Sequence, residues 1–330
     1  MNFQVSVIIP VFNASKFLNR AVQSVLEQPQ VFEVILIEDG SKDNSLSICK
    51  SILETNPKIK LFQHPNGLNK GAAESRNLGI KKASQKFISF LDADDFMLRN
   101  RFEKTLLVFK EHQDAEGVYE AVDVNFETIE LKKKWLSRHL PLSITVKYHI
   151  PPERLFKEQS PVGNSGFAHI NGWTVKRSVF NKTGTFNSEL LIHQDTDIFI
   201  RFSIASRMYP GEIVKPVAIY WVHHNNRITK KRSISERFYF RIKMWYSSWK
   251  WAQVNGYHKE ENLLLSKIVN HYSNVHAEGQ IEGKKINIFL LRYTNTLKLC
   301  PELKFKPLFY IFTIRDIIKI TLKYMLSYER

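Results

Sequence analysis

The feature that most constrains this chain is a series of nearly unbroken apolar, β-branched runs separated by segments of helical periodicity. Val5 to Val11, Phe32 to Glu38, Ile59 to Gln63 and Phe87 to Leu91 read as strands. Runs without polar alternation belong to strands covered on both faces, and therefore to a parallel sheet. The intervening segments Ser15 to Glu27, Asp43 to Glu54 and Gly71 to Ala83 fit the crossover helices that parallel strands require. The expected fold is α/β: a doubly wound, mostly parallel, Rossmann-like sheet. Polar residues gather where the strands end, with Asn13 after the first, Asp39 after the second, and Asp92, Asp94 and Asp95 after the fourth. Open α/β sheets bind ligands at those carboxyl ends.

From about Arg101 to Ile228 the pattern is mixed, with a helix expected at Arg101 to His112, strand-like pieces, and a Gly- and Asn-containing stretch at Gly163 to Gly172. Beyond Thr229 the chain becomes basic, aromatic and helical: Lys230, Lys231, Arg232, Arg237, Arg241 and Lys243 lie among Trp245, Trp249 and Trp251. Three parts are therefore expected, residues 1–105, 106–229 and a mainly helical extension at 230–330. The net charge is +16, yet residues 1–100 hold only 12 Lys and Arg against 10 Asp and Glu, so the basicity belongs to the later part. Such an excess points to anionic partners: membrane surfaces, nucleic acid or phosphates.

Cys49 and Cys300 match no metal-ligand spacing and build no disulfide framework, which fits a reducing compartment. The N-terminal run lacks the basic flank and cleavage site of a signal peptide. The longest apolar candidate, Leu308 to Leu326, is interrupted by Arg315, Asp316, Lys319 and Lys323, so no membrane span is expected and the location is read as cytoplasmic. The same segment has apolar residues at helical spacing with Arg315, Lys319 and Lys323 four apart. That is the form of an interfacial helix on an anionic membrane, and equally of a helix that packs on the rest of the chain or forms a homodimer.

The strongest chemical signal is Phe90-Leu-Asp-Ala-Asp-Asp95, where an apolar strand ends in three carboxylates. Like charges this close repel, and Mg²⁺ or Mn²⁺ relieves that repulsion while also meeting substrate phosphates. Alternation puts Asp92 and Asp94 on one side, so Asp94 is the metal candidate and Asp92 the ribose candidate. An isolated Asp-x-Asp is otherwise a solvated turn capping the next helix. Asp39 is placed to accept a base or ribose hydrogen bond, or to cap a helix; Arg76 is placed to pair with a phosphate or lock an aspartate.

Together, Ser6-Val-Ile-Ile-Pro-Val-Phe-Asn13, the Asp39-Gly-Ser turn, Arg76-Asn-x-Gly and Asp92-Ala-Asp-Asp95 resemble glycosyltransferase family 2, whose members have the GT-A fold. The resemblance is strong over residues 5 to about 105, weaker over 170–228, and leaves the last hundred residues unexplained. It implies a nucleotide-sugar-binding half at 1–105 and an acceptor-binding half at 106–229. Pro10 and Phe12 would line the base pocket, Asp39 would contact the base, Asp92 the ribose, and Asp94 the metal bridging the diphosphate. Inverting transfer also needs a base. His193-Gln-Asp-Thr-Asp197 resembles the family's Glu-Asp element, with Gln194 in place of the glutamate and Asp195 as the base. Asn171-Gly-Trp-Thr-Val resembles the acceptor-side segment, where Trp173 would face a sugar ring or belong to the core. Tyr220-Trp-Val-His223 resembles a pattern that brings His223 to the metal or diphosphate.

The expected activity is transfer of a sugar from a UDP-sugar, or another nucleoside-diphosphate sugar, to a hydroxyl of a glycan or lipid-linked glycan acceptor in bacterial surface polysaccharide synthesis. No Gly-x-Gly-x-x-Gly turn follows the first strand and no Walker loop is present, which excludes dinucleotide oxidoreductases and P-loop enzymes. The alternative from another class is a nucleic-acid-binding protein with an inactive donor-binding domain, the cations and aromatics of residues 230–251 tracking a phosphate backbone. It leaves the ordered carboxylates without a purpose, so no nucleic acid partner is expected.

Overall fold

A computed structural model of the 330-residue chain describes residues 3–226, 232–273 and 285–328, with the backbone alone for 285–288 and 319–328. The chain divides into two compact units, Met1–Glu189 with Gln194–Lys231, and Leu190–His193 with Arg232–Arg330. Lys230 and Lys231, which the sequence placed at the start of the basic extension, lie outside the described residues.

In the first unit the chain forms β1 (Val5–Val11), α1 (Leu18–Leu26), β2 (Val31–Glu38), α2 (Ser45–Thr55), β3 (Ile59–Gln63), α3 (Gly71–Lys82), β4 (Phe87–Phe90), β5 (Phe96–Met97) and α4 (Glu103–Glu111). There follow β6 (Gly117–Tyr119), β7 (Val122–Phe126), α5 (Ile129–Leu136), β8 (Ser143–Ile144), α6 (Pro152–Glu158), β9 (Trp173–Lys176), α7 (Val179–Thr183), α8 (Gln194–Ala205), β10 (Met208–Pro210) and β11 (Ala218–Val222). The expected doubly wound α/β fold is present. The main sheet has the order β10-β6-β9-β4-β1-β2-β3, and β1 runs parallel to both β2 and β4.

Both faces of this sheet are covered, which is why its strands carry no polar alternation. Val7 and Ile9 of β1 pack with Leu18, Val22 and Val25 of α1 on one side. Ile8, with Ile35 and Ile37 of β2, packs with Ala73 and Ile80 of α3 on the other. Each such fully buried aliphatic side chain contributes about 1.5–3 kcal/mol. Chain direction reverses only at β9, antiparallel to β4 and β6. That reversal carries the residues before β9 to the edge where β4 ends. Gly172, the last of them, lies where an added Cβ would meet the Glu120 carbonyl oxygen at 2.3 Å, so only glycine fits.

A fully buried ion pair holds the reversed strand in place. Arg101 Nη1 lies 2.8 Å from Glu120 Oε2, while its Nε donates to the Asn171 carbonyl at 3.0 Å and Nη2 to the Trp173 carbonyl at 2.7 Å. Burial pushes the Glu120 carboxyl up to about 7, against the opposing pull of Arg101. A second sheet, ordered β5-β11-β7-β8, sits beside the first; β11 pairs antiparallel with β5 through Ile219–Phe96 and Ala218–Met97.

The second unit is helical: α9 (Ile234–Val254), α10 (His258–Ser273), α11 (Lys285–Leu299) and α12 (Pro307–Tyr328). Ser233 opens α9 with a capping box, its side chain accepting from the Glu236 amide while Glu236 accepts from the Ser233 amide. Of the three tryptophans that the sequence set among these cations, Trp245 and Trp249 are buried in this unit and Trp251 is half-buried. Helix α12 packs one side inward and leaves an apolar side exposed. Phe309, Thr313 and Asp316 are buried, Arg315 is tied to Asn270 Oδ1 at 3.1 Å and Asp316 Oδ1 at 2.9 Å, and Ile311, Ile314, Ile317 and Ile318 face outward. The side chains of Lys319 and Lys323 lie outside the described residues. Among the described residues no helix is long and apolar enough to cross a membrane. Cys49 and Cys300 are both free and buried, and burial pushes each thiol up to about 12.

Candidate active site

The chain leaves β1 for β2 and β3 on one side and returns to β4 on the other, so the switch point of the sheet lies between β1 and β4. Their carboxyl ends carry Pro10 to Asn13 and Leu91 to Asp95. Phe12 leaves the sheet 47% exposed, an aromatic side chain turned to solvent at the switch point, and Pro10 is half-buried. Asn13, at φ 50°, accepts the Lys42 amide through Oδ1 at 2.8 Å and so ties the end of β1 to the loop after β2.

Asp39 lies beside Phe12 but is turned inward. It is 2% exposed, and its oxygens accept the backbone amides of Lys70 at 2.6 Å and Gly71 at 2.9 Å. The carboxylate expected to meet a base instead anchors the entry to α3. Gly40 allows this approach: it sits at φ +69°, and a Cβ there would collide with the Gly67 carbonyl at 2.6 Å.

Arg76 on α3 locks an aspartate. Its Nη2 lies 2.6 Å from Asp92 Oδ1, its Nη1 lies 3.5 Å from Gln194 Oε1, and its guanidinium stands 5.4 Å from the Phe186 ring centroid. This one side chain links the end of β4 to the start of α8, where Asp195 is half-buried in the first turn. Asp195 Oδ1 accepts the Thr196 amide at 2.8 Å.

The three carboxylates after β4 have separate environments. Asp95 is fully buried and structural: it accepts the Trp221 amide at 2.7 Å and Asn171 Nδ2 at 2.6 Å, joining the two sheets. Burial, followed by repulsion from Asp94 and Asp92, raises its pKa well above the ordinary aspartate range. Asp94 faces the cleft. Its Oδ2 accepts from His223 Nε2 at 2.9 Å and from Asn226 Nδ2 at 3.0 Å, and no described group meets Oδ1. The peptide carbonyl of Asp94 accepts Arg20 Nη2 at 2.9 Å, and that guanidinium lies 4.5 Å from both the Phe96 and Trp221 rings. His223 follows β11 and packs against Phe17, the ring centroids 4.4 Å apart and the planes tilted.

Asp94 suits a divalent cation. It offers one carboxylate oxygen that meets no described protein group, and His223, bonded to the other oxygen, orients it. Among the described residues no group of three or more protein ligands gathers.

Trp173 does not reach this cleft. It is 1% exposed in the middle of the main sheet, stacked on Phe199 at 4.9 Å, so of the two roles weighed for it the structure gives the core one. A strand interior between β4 and β6 leaves no open face. The residue that does reach the cleft from this segment is His169, which no sequence motif singled out; it packs against Tyr220 at 5.1 Å. Asn171 and Arg20 were likewise invisible as site residues, because each acts by bonding backbone or carboxylate groups distant in sequence.

A GT-A-type sheet bearing an aspartate pair beyond its switch strand defines the class. The chain belongs to glycosyl transferase family 2, whose sequence profile matches residues 6–184. An uncharacterized glycosyltransferase of Haemophilus influenzae is 44% identical over 103 residues, 31% of this chain and 40% of that protein. The minor teichoic acid biosynthesis protein GgaB of Bacillus subtilis is 35% identical over 116 residues, 34% of this chain and 13% of that protein. The matched segment thus spans less than half the length of these relatives. S. aureus TarS 1-349 in complex with UDP-GlcNAc has a TM-score of 0.65 over 98% of this chain and 92% of that one, at 16% identity, which is a likeness of fold.

Proposed function

We propose that this chain is a metal-dependent, inverting glycosyltransferase that moves a hexosyl residue from a UDP-sugar to an acceptor hydroxyl in surface polysaccharide or lipid-linked glycan assembly. The observation that carries this reading is the arrangement around Arg76. One guanidinium spans Asp92, beside the metal-facing Asp94, and Gln194, beside Asp195, so that donor-side and acceptor-side carboxylates flank one cleft. Phe12 offers its exposed ring to the base, and Pro10 lines the same pocket. Asp39 supports that pocket indirectly by fixing the Lys70–Gly71 amides. Asp92, held by Arg76, would meet the ribose.

In this reading the acceptor oxygen attacks the anomeric carbon from the face opposite the diphosphate. The acceptor proton passes to Asp195 as the new C–O bond forms and the bond to the β-phosphate oxygen breaks. Asp94, with His223 adjacent, would hold Mn²⁺ or Mg²⁺, which when bound supplies positive charge against the departing UDP. The TarS complex with UDP-GlcNAc supports a uridine donor, and GgaB supports a surface-glycan pathway. The test is UDP release from a panel of UDP-sugars with and without Mn²⁺. At least one donor should be hydrolysed or transferred with metal and spared with chelator; metal-independent turnover, or none with any nucleotide sugar, would remove the reading.

The outward isoleucines of α12 bear on where the enzyme works. Ile311, Ile314 and Ile318 recur at helical spacing on the exposed side, near the exposed Lys304 and Phe305. We read this face as an anchor to the cytoplasmic leaflet, where a lipid-linked acceptor would be presented and where each nearby cation contributes roughly 1 kcal/mol on anionic lipid. The protein should float with anionic vesicles, and the triple variant Ile311→Glu, Ile314→Glu, Ile318→Glu should stay in the unbound fraction. If wild type stays there as well and the substitutions instead turn a dimer into a monomer, the face is a protein interface.

A further inference from the structure

Among the described residues, His169 is a side chain in the cleft that the reaction above leaves without a task. It precedes β9, and because β9 runs antiparallel to β4, pairing Thr174 with Ser89, His169 is returned to the edge where Asp92 follows β4. Its Nδ1 accepts the Asn171 amide at 3.3 Å and caps the short 3₁₀ turn Ile170–Gly172. A nitrogen that accepts carries no hydrogen, so the neutral ring bears its hydrogen on Nε2. Burial, the larger influence, lowers the pKa of His169 below the ordinary histidine value in spite of Asp92 and Asp195, which favours that neutral ring.

The surroundings of this N–H are unequal. Asp92, Asp195 and Asp94 act on the ring as anions, and Arg76 acts as a cation already engaged with Asp92 and Gln194. Tyr220 covers one side of the imidazole. No described protein group accepts from Nε2. His169 therefore supplies a donor with an unfilled position among carboxylates that only accept.

We propose that His169 determines donor-sugar specificity, its Nε2–H donating to a hydroxyl of the hexose held between Asp92 and Asp195. This role rests on the nucleotide-sugar reading of the site. An epimer whose hydroxyl points elsewhere leaves the N–H half-buried and unpaired, and a site built around a hydrogen bond rejects such an analogue. A hydrogen bond of this kind corresponds to about a tenfold preference.

Two substitutions divide the side chain. His169→Asn keeps an acceptor where Nδ1 caps the turn, since asparagine is a favoured cap, and removes the distal donor. His169→Gln extends an amide N–H toward the position of Nε2 and gives up the cap. The measurements are kcat/KM for UDP-glucose, UDP-galactose, UDP-GlcNAc and UDP-GalNAc, together with the affinity for UDP alone by calorimetry. His169→Asn should lose about tenfold in kcat/KM on the preferred donor and flatten its preference over the epimer, with UDP affinity unchanged, whereas His169→Gln should retain most of both. Wild-type preference in the asparagine variant, or equal loss in both variants, would overturn the proposal. Wild type that binds no UDP would overturn the nucleotide-sugar reading itself, and this role with it.

Discussion

Asp94→Asn should lower turnover by about a thousandfold or more while leaving the fold and its unfolding temperature near wild type. The geometry separates the two effects. Asp94 Oδ2 accepts from His223 and Asn226, and an asparagine carbonyl oxygen can accept from both. The amide then falls where Oδ1 had no described partner, presenting a donor to the position the cation needs. Charge is lost at a side chain that is partly exposed, so the folded state gives up little, and the neighbouring Asp95 gains by losing one repulsive partner. Turnover of the preferred UDP-sugar across a Mn²⁺ titration is the measurement. Near-wild-type turnover at saturating metal in a correctly folded variant would move the metal away from Asp94. Loss of UDP binding in metal-free buffer would instead point to a direct role in holding the nucleotide.

The sequence carried the frame of this site because that frame depends on local pattern. β1 and β3 have the boundaries that their apolar runs imply, and the carboxylates after β4 sit at the switch point because doubly wound sheets have only one such crevice. What pattern does not encode is where a polar side chain turns. Asp39 occupies the expected edge, yet its two oxygens meet the amides of Lys70 and Gly71, a choice set by a loop thirty residues on that Gly40 allows to come close. Trp173 was placed by motif and removed by topology: an antiparallel strand inserted between β4 and β6 buries its aromatic and brings the preceding His169 to the cleft. The amphipathic reading of α12 left its two outcomes open for a related reason. Periodicity finds two faces but not which one meets α10, and here Thr313 and Asp316 face inward while isoleucines face out. Gln194 was recognised as a departure, but its place beside Arg76 was not legible, since the contact spans 118 residues.

That contact bears on the second large effect. Asp195→Asn should cut transfer by about a hundredfold to ten-thousandfold, the range a positioned general base supplies, while leaving UDP affinity within about twofold. Among the described residues, Asp195 is tied to the Arg76–Asp92 pair through its neighbour Gln194. Gln194 takes the Arg76 Nη1, and Arg76 in turn holds Asp92, so replacing the residue beyond Gln194 leaves the Arg76–Asp92 bridge standing. The helix also tolerates the change. Asparagine still accepts the Thr196 amide, and loss of one charge in the first turn of α8 costs about 0.3–1 kcal/mol. What disappears is the lone pair that receives the acceptor proton, so the loss should fall on kcat rather than on the KM for the donor. Asp39→Ala, which frees the Lys70 and Gly71 amides, should show the complementary pattern, with weakened UDP binding and an intact chemical step. Calorimetry with UDP and steady-state transfer on both variants separate the roles. Should Asp195→Asn lose UDP affinity in proportion to its rate, Asp195 would be part of the donor pocket, and the base would have to be sought among the groups that face His169.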